Sequence, residues 1–449
     1  MNQKRITRRE FVRAAIGTGI GLAASSSVLP MLAGCKPAAK KVPLRVVSTE
    51  GDPKAIEVAT AMCDAYMKEH PDVEIAYENI PWDDYMPKAM AAAAAKEDFG
   101  VQLSWASQQG ELASEGLVAW VDDVIDKVGR GDFREASLLE YEGHNFLVPY
   151  FMTAGVLFYR EDLFQEKGLE PPVTWDELRA CCEAFTEDTD NDGTVDRWGI
   201  TLPFSRTHSV HTFILSFLKA NGGYLLAEDG SVVWDSPQNM ETMEFLKSLL
   251  PYAPPGWSEA SWGEEISNYY TGATAMARYG GRLLSRTKEF NEEIYQATKC
   301  VEMPTPNGRQ EERISLVEVA GLGIWKDIAD LEVAKDYAHS FVTGDNYMDW
   351  VHTVVPHYLP PRKSVVADPK YWEHPILQDK RDCVETMLKV LDTGTNFMFE
   401  HGSFDVDGNH IYIGTLIQDC TQQITVGDAP VADTMQKYAQ KMRELIGQA

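Results

Sequence analysis

Basic charge is scarce in this chain: 41 Lys and Arg stand against 68 Asp and Glu, a net charge of −27. A surface that acidic repels nucleic acid and anionic lipid headgroups, so neither is an expected partner. Cysteine is sparse too, with seven in 449 residues, and their spacing matches no zinc or redox motif. There is no internal repeat and no low-complexity run, which excludes solenoids and arrays. No hydrolase motif is present, so the chain is not read as an enzyme. What the chain does have is 44% apolar residues and eleven tryptophans, enough to fill a large core. The overall charge leaves the identity of a small ligand open, because a local pocket decides it.

The N-terminus is a processing segment. Lys4, Arg5, Arg8, Arg9 and Arg13 make a basic start, and the uncharged stretch Ala14–Leu32 follows. Thr7-Arg8-Arg9-Glu10-Phe11 resembles a twin-arginine signal, whose route exports folded proteins. Leu32-Ala33-Gly34-Cys35 resembles a lipobox, in which the cysteine is lipidated and becomes the mature N-terminus. The alternative is a plain transmembrane anchor, for which the stretch is only marginally long. Residues 1–34 are thus expected to be a signal peptide, with Cys35 and the following residues to 43 a lipidated linker. The protein is expected to be exported and held at a membrane of the cell envelope through Cys35. Without residues 1–34 the chain keeps 36 basic and 67 acidic residues, a net charge of −31. The remaining 415 residues exceed one ordinary domain, so two lobes are expected. Folding before export happens in a reducing compartment. Cys63, Cys181, Cys182, Cys300, Cys383 and Cys420 are therefore expected to be mainly buried thiols, with one or two disulfides left open.

Apolar periodicity then orders the elements. Strands are predicted at Leu44–Ser48, Val73–Tyr77 and Gly100–Trp105. Helices are predicted at Ala55–His70, Trp82–Lys96, Glu111–Val118 and Val121–Val128. This alternation predicts a parallel sheet covered on both faces, with ligand at the carboxyl ends of its strands. Thr49–Asp52 and Ser104–Gln108 are polar loops at such ends. Phe146–Asp162 holds two short apolar pieces, with the backbone interrupted between Pro149 and Gly155. A strand broken in its middle suits a passage between domains. Thr174 and Glu177 form a capping box for the helix beginning at Trp175. Further helices are predicted at Val210–Ala220, Gln378–Leu391, His410–Val426 and Val431–Ile446.

Three segments carry a family resemblance. They are Leu147–Leu178 (LVPYFMTAGVLFYREDLFQEKGLEPPVTWDEL), Tyr269–Gly281 (YYTGATAMARYGG), and Asn221-Gly222-Gly223 followed by Ala227–Gly230 and Ser236. In this order they resemble the maltose-binding-like extracellular solute-binding proteins that serve ABC importers. The resemblance implies an α/β fold: the two-lobed type II periplasmic-binding-protein fold with three interlobe crossings. It places one lobe at 42–150 with 315–395 and the other at 152–313 with 400–449. It also implies capture of a small solute, expected to be a carbohydrate or polyol, by cleft closure without catalysis. The ABC permease subunits are then the protein partners, and a monomer is expected.

Matching the family's ligand loops nominates Glu50, Asp52, Trp105, Ser107, Gln108, Tyr150, Phe151 and Thr153 from the first part of the chain. Trp262, Tyr279, Gly280 and Arg282 follow from the second lobe, with Glu318, His357, Tyr358, Phe404 and Asp405 near the later crossings. Aromatic faces suit the C–H side of a sugar ring, and planar polar groups suit its hydroxyls. Arg282 stands where many relatives have tryptophan, which admits an anionic solute such as a sugar acid or glycerol phosphate, or a peptide. A glycoside hydrolase is a third reading, with Glu50 and Glu318 as its acid and base. No cofactor is expected beyond calcium. Asp188, Asp190, Asp192 and Asp196 have calcium-loop spacing, but the twelfth position is Gly199, so an Asp-rich turn is the alternative. His208-x-x-His211 is read as a polar helix face rather than a metal site.

Overall fold

The computed structural model describes residues 41–207, 209–399 and 401–448. The export signal, Cys35 and His208 lie outside the described residues. No helix within them is long and apolar enough to cross a membrane.

The strands are β1 (Val42–Ser48), β2 (Val73–Asn79), β3 (Val101–Trp105), β4 (Glu140–Tyr141), β5 (His144–Asn145), β6 (Val148–Ala154), β7 (Val156–Arg160), β8 (Trp198–Ile200), β9 (Thr274–Tyr279), β10 (Thr298–Val301) and β11 (Val317–Ile324). One lobe is built on a sheet of order β2-β1-β3-β11-β6, the other on a sheet of order β10-β7-β9-β8. The first sheet is mixed rather than parallel. β1 runs parallel to β2 and β3, whereas β11 is antiparallel to both β3 and β6. The parallel rule applies to strands joined by a crossover helix. β11 instead enters from the other lobe, so nothing constrains it to that direction.

Local chemistry starts the helices where the sequence placed them. Asp52 accepts from the Lys54 amide at 3.0 Å ahead of helix Pro53–Glu69. Thr174 and Glu177 make the expected reciprocal bonds at 3.2 and 3.0 Å ahead of helix Trp175–Phe185. That helix buries Trp175, Leu178, Cys181, Cys182 and Phe185 on one face. All six described cysteines are buried and free. Two predicted helices are each split in two. Pro375–Asp379 is followed by Arg381–Thr393, and Val406–Ile413 is followed by Leu416–Thr425. In the second case Gly414 adopts an extended backbone and ends the first piece, as a residue of poor helix propensity does.

The chain passes between the sheets at three places that lie side by side. β6 is not interrupted between Pro149 and Gly155; it runs unbroken through Val148–Ala154. A bulge opposite Ala320–Gly321 leaves Tyr150 without a partner residue. Gly155 alone separates β6 from β7. Its amide donates to Leu316 O at 3.3 Å on the second passage. Val317 donates to Thr395 O at 3.1 Å, and Thr395 donates back to Ser315 O at 3.0 Å, which ties in the third passage. A Cβ on Gly394 would sit 2.6 Å from Val317 Cγ1, so only glycine lets these strands approach so closely.

Candidate functional site

The two lobes meet around Arg282. Glu50 and Asp52 lie in the turn after β1, where the Asp52 amide donates to Glu50 Oε1 at 2.8 Å. Tyr358 donates its hydroxyl to Glu50 Oε2. From the other lobe, Arg282 opens helix Arg282–Phe290 just beyond β9. Its guanidinium lies 3.8 Å from Glu50 Oε1 and 3.7 Å from Asp52 Oδ2, and Arg286 is 3.9 Å from Asp52 Oδ2. Burial raises the Glu50 pKa, and Arg282 pulls it back down. Beside this cluster Gly280 and Gly281 press on the loop Pro356–His357. A Cβ on Gly281 would fall 2.4 Å from Pro356 O, and one on Gly280 would fall 3.2 Å from His357 Nδ1. Burial, reinforced by Arg282, pushes His357 well below the usual histidine range, so its ring is neutral at pH 7. His357 Nδ1 has no hydrogen-bond partner among the described residues.

Aromatic rings back this rim. Phe151 stacks on Tyr358 at 4.3 Å and meets Trp105 edge-on at 5.2 Å. Trp105 ends β3 half-buried, with Trp82 edge-on at 6.3 Å. Below them Thr153 of β6 and Glu318 of β11 are direct partners across the strands. Glu318 stays partly accessible, although burial dominates its carboxyl and raises its pKa. Arg278, Thr153 and Tyr412 pull it back down. Tyr279, at the end of β9, pairs with Val156. Surrounding protein lifts its phenol well above the ordinary range, yet it too keeps some exposure.

Other nominated residues take packing, capping or surface positions. Tyr150 is 3% exposed and packs edge-on against Phe341 and Trp350. Ser107 and Gln108 are not in a polar loop: helix Ala106–Ser114 already begins there, and both are buried in its first turn. Phe404 is buried against Phe146 and Phe399 and fills the space over Gly110. Asp405 caps helix Val406–Ile413 through the Gly408 amide at 2.8 Å. Trp262 begins helix Trp262–Tyr270 and is 55% exposed. His211 is fully buried rather than on a polar face. Carboxylate oxygens of Asp188, Asp190 and Asp196 converge within 4.8 Å. Asp188 already accepts from the Asp192 and Gly193 amides, Asp190 from Asp192, and Asp196 from Thr189. Asp192 caps the Thr194 amide at 2.8 Å. The loop's own backbone donors therefore close this turn.

Sequence reasoning missed Arg278, Arg286, Glu265 and Tyr412. Arg278 left a signal, since a charged residue inside the buried strand Thr274–Tyr279 is out of place in a core.

A model of the bacterial extracellular solute-binding protein family matches residues 61–379. The chain belongs to that family. The putative ABC transporter periplasmic-binding protein YcjN of Escherichia coli K12 is 21% identical over 436 residues, covering 93% of this chain and 96% of that protein. A solute-binding protein of Agrobacterium radiobacter K84, solved in complex with ribitol, superposes with a TM-score of 0.75 at 20% identity. The alignment covers 91% of this chain and 99% of that one. Maltose-bound T. maritima MalE3 gives 0.74 at 21% identity, covering 90% and 100%. These structures share the two-lobed fold. In a solute-binding protein, residues that touch across the lobes, as Arg282 and Gly281 do here, distinguish the closed form from the open one.

Proposed function

We propose that this solute-binding protein serves an ABC importer and captures a neutral polyhydroxylated solute, a sugar or polyol, by closure of its lobes. The observation that carries this reading is the charge balance around Arg282. Its guanidinium faces Glu50 and Asp52 from the opposite lobe at 3.8 and 3.7 Å, so this cation already has carboxylates opposite it. The same groups offer planar donors and acceptors beside the Phe151–Tyr358 stack, a mixture suited to hydroxyls on a carbon skeleton. Similarity to proteins solved with ribitol and with maltose supports this class of ligand. The reading includes no catalytic step. It also includes export, lipidation at Cys35 and a monomeric state, which rest on the N-terminal motifs and the family resemblance.

The test is thermal melting of purified protein against neutral sugars, polyols and sugar acids. A ligand-dependent rise of several degrees with a neutral member is expected, since a ligand at about 100 times its Kd stabilises by about 2.7 kcal/mol. No rise with any of them would end the proposal. A rise with acids alone would favour the anionic reading, for which the Arg282–Arg286 pair is the specific observation.

A further inference from the structure

Four lysines and arginines are buried among the described residues: Arg134, Lys219, Arg278 and Lys380. Three of them have partners at hand. Arg134 pairs with Asp392, and Lys219 lies over the Tyr224 ring at 3.9 Å. Lys380 donates to Gln296 O and Thr298 O at 2.9 and 3.0 Å. Arg278 is different. It is 6% exposed, pairs with no carboxylate and makes no side-chain hydrogen bond among the described residues, and its Nε is wholly enclosed. A buried guanidinium without partners costs the free protein stability. Such a cost is retained where a site needs the group.

The side chain is aimed at the junction of the lobes. Arg278 stands opposite Leu157 on β7, and Tyr279 stands opposite Val156. Yet a Cβ built on Gly155 would lie 2.6 Å from Arg278 Nη2 and 3.3 Å from its Cζ. The guanidinium therefore reaches along the strands, past Val156, to the single residue between β6 and β7. That is the end of β9 from which Gly280, Gly281 and Arg282 meet the other lobe. Gly155 is not in the left-handed region, so its missing side chain serves space rather than conformation. A larger residue there would take the place of the guanidinium.

We propose that Arg278 is a ligand-binding residue whose planar N–H fork donates to two adjacent oxygens at the inner end of the solute. This rests on the solute reading above for what enters the cleft, but not for the direction or the unpaired state of the guanidinium. The fork matches two oxygens held side by side. A neutral sugar or polyol supplies them as neighbouring hydroxyls, and a sugar acid supplies them as its carboxylate. At the rim, Arg282 and Arg286 already face Glu50 and Asp52. Arg278 is the cation that has only the solute to pair with.

The experiment titrates ribitol, glucose and gluconate into the full chain and its Arg278→Met and Gly155→Ala variants by calorimetry. Arg278→Met should bind whichever of these the parent binds about tenfold or more weakly. Gly155→Ala, whose methyl displaces the guanidinium, should do the same. The parent's preference between glucose and gluconate shows which pair of oxygens is read, and it should shrink in Arg278→Met. Deoxy analogues of a bound sugar or polyol give the atom-level readout. One deoxy position should cost the parent about tenfold and cost Arg278→Met little, because its partner is already gone. Affinity in Arg278→Met equal to the parent's, or equal losses from every deoxy analogue in both proteins, would overturn the proposal. If none of the three binds the parent, the solute reading fails and ligand-free melting decides the arginine alone. It is read at pH 5, where burial favours neutral Glu265 and Glu318. Arg278→Met should then melt no lower than the parent, and a fall of several degrees would show a structural arginine and overturn the proposal. If Arg278→Met does not fold, Arg278→Lys, which keeps the charge and loses the fork, is read in the same way.

Discussion

Gly281 is a single residue on which closure turns. Its backbone is in the ordinary helical region, so alanine there costs nothing in conformation. The added methyl instead meets Pro356 O across the lobes at 2.4 Å. Gly281→Ala is therefore expected to weaken solute binding about tenfold or more, since about 1.4 kcal/mol of strain in the closed form suffices. Unliganded melting should stay close to the parent, and calorimetric titration beside a melting curve checks both. Glu265 gives a second residue-level effect. It is 1% exposed, and burial raises its carboxyl to about 8 against the opposing pull of Arg278. Its folded pKa thus exceeds the unfolded one, so its contribution is full below about pH 4.5 and is lost as pH climbs to about 8. The loss is on the order of 4 kcal/mol. Glu265→Gln should flatten that part of the stability–pH curve, as urea denaturation at pH 5 and 8.5 would show.

At the scale of elements, what was legible in the sequence was what depends on neighbours in the chain. The Thr174–Glu177 capping box is written in four residues, and it forms. Thr174→Ala is expected to cost about 1 kcal/mol in chemical denaturation. Helix Ala106–Ser114 was harder to see, because its N-cap is Trp105, which carries no side-chain acceptor. The course of β6 was misjudged for a related reason. Pro149 and Gly155 both signal a break, but the bulge against β11 accommodates the first. That partner lies more than 160 residues away in sequence, so no local window reveals it.

For the whole molecule, the two-lobed fold and the strand-end positions of Glu50, Asp52 and Arg282 were legible, while the packing around them was not. Glu50, Asp52 and Arg282 follow the carboxyl ends of strands, where open α/β sheets place ligands, and the structure brings all three together. Tyr150 and Phe404 are aromatic residues near the same passages, yet both went to the core. Aromatic character alone does not say which way a side chain faces. Arg282→Ala should leave Glu50 unopposed from the second lobe and Asp52 with Arg286 alone. The unliganded protein is then expected to populate a more open form, read as a larger radius of gyration in solution scattering.

The place of β11 sets an order of assembly. It is an inner strand, between β3 and β6, yet it ends about 170 residues after β6 does. A ribosome adding about 5–20 residues per second needs on the order of ten seconds or more to supply it. Until then β3 has an unpaired edge and β6 has no partner in the sheet, while the second lobe is being made. Nascent chains halted before Val317 should therefore be cleaved by protease near Phe151. Chains that have emerged through Ile324 should resist.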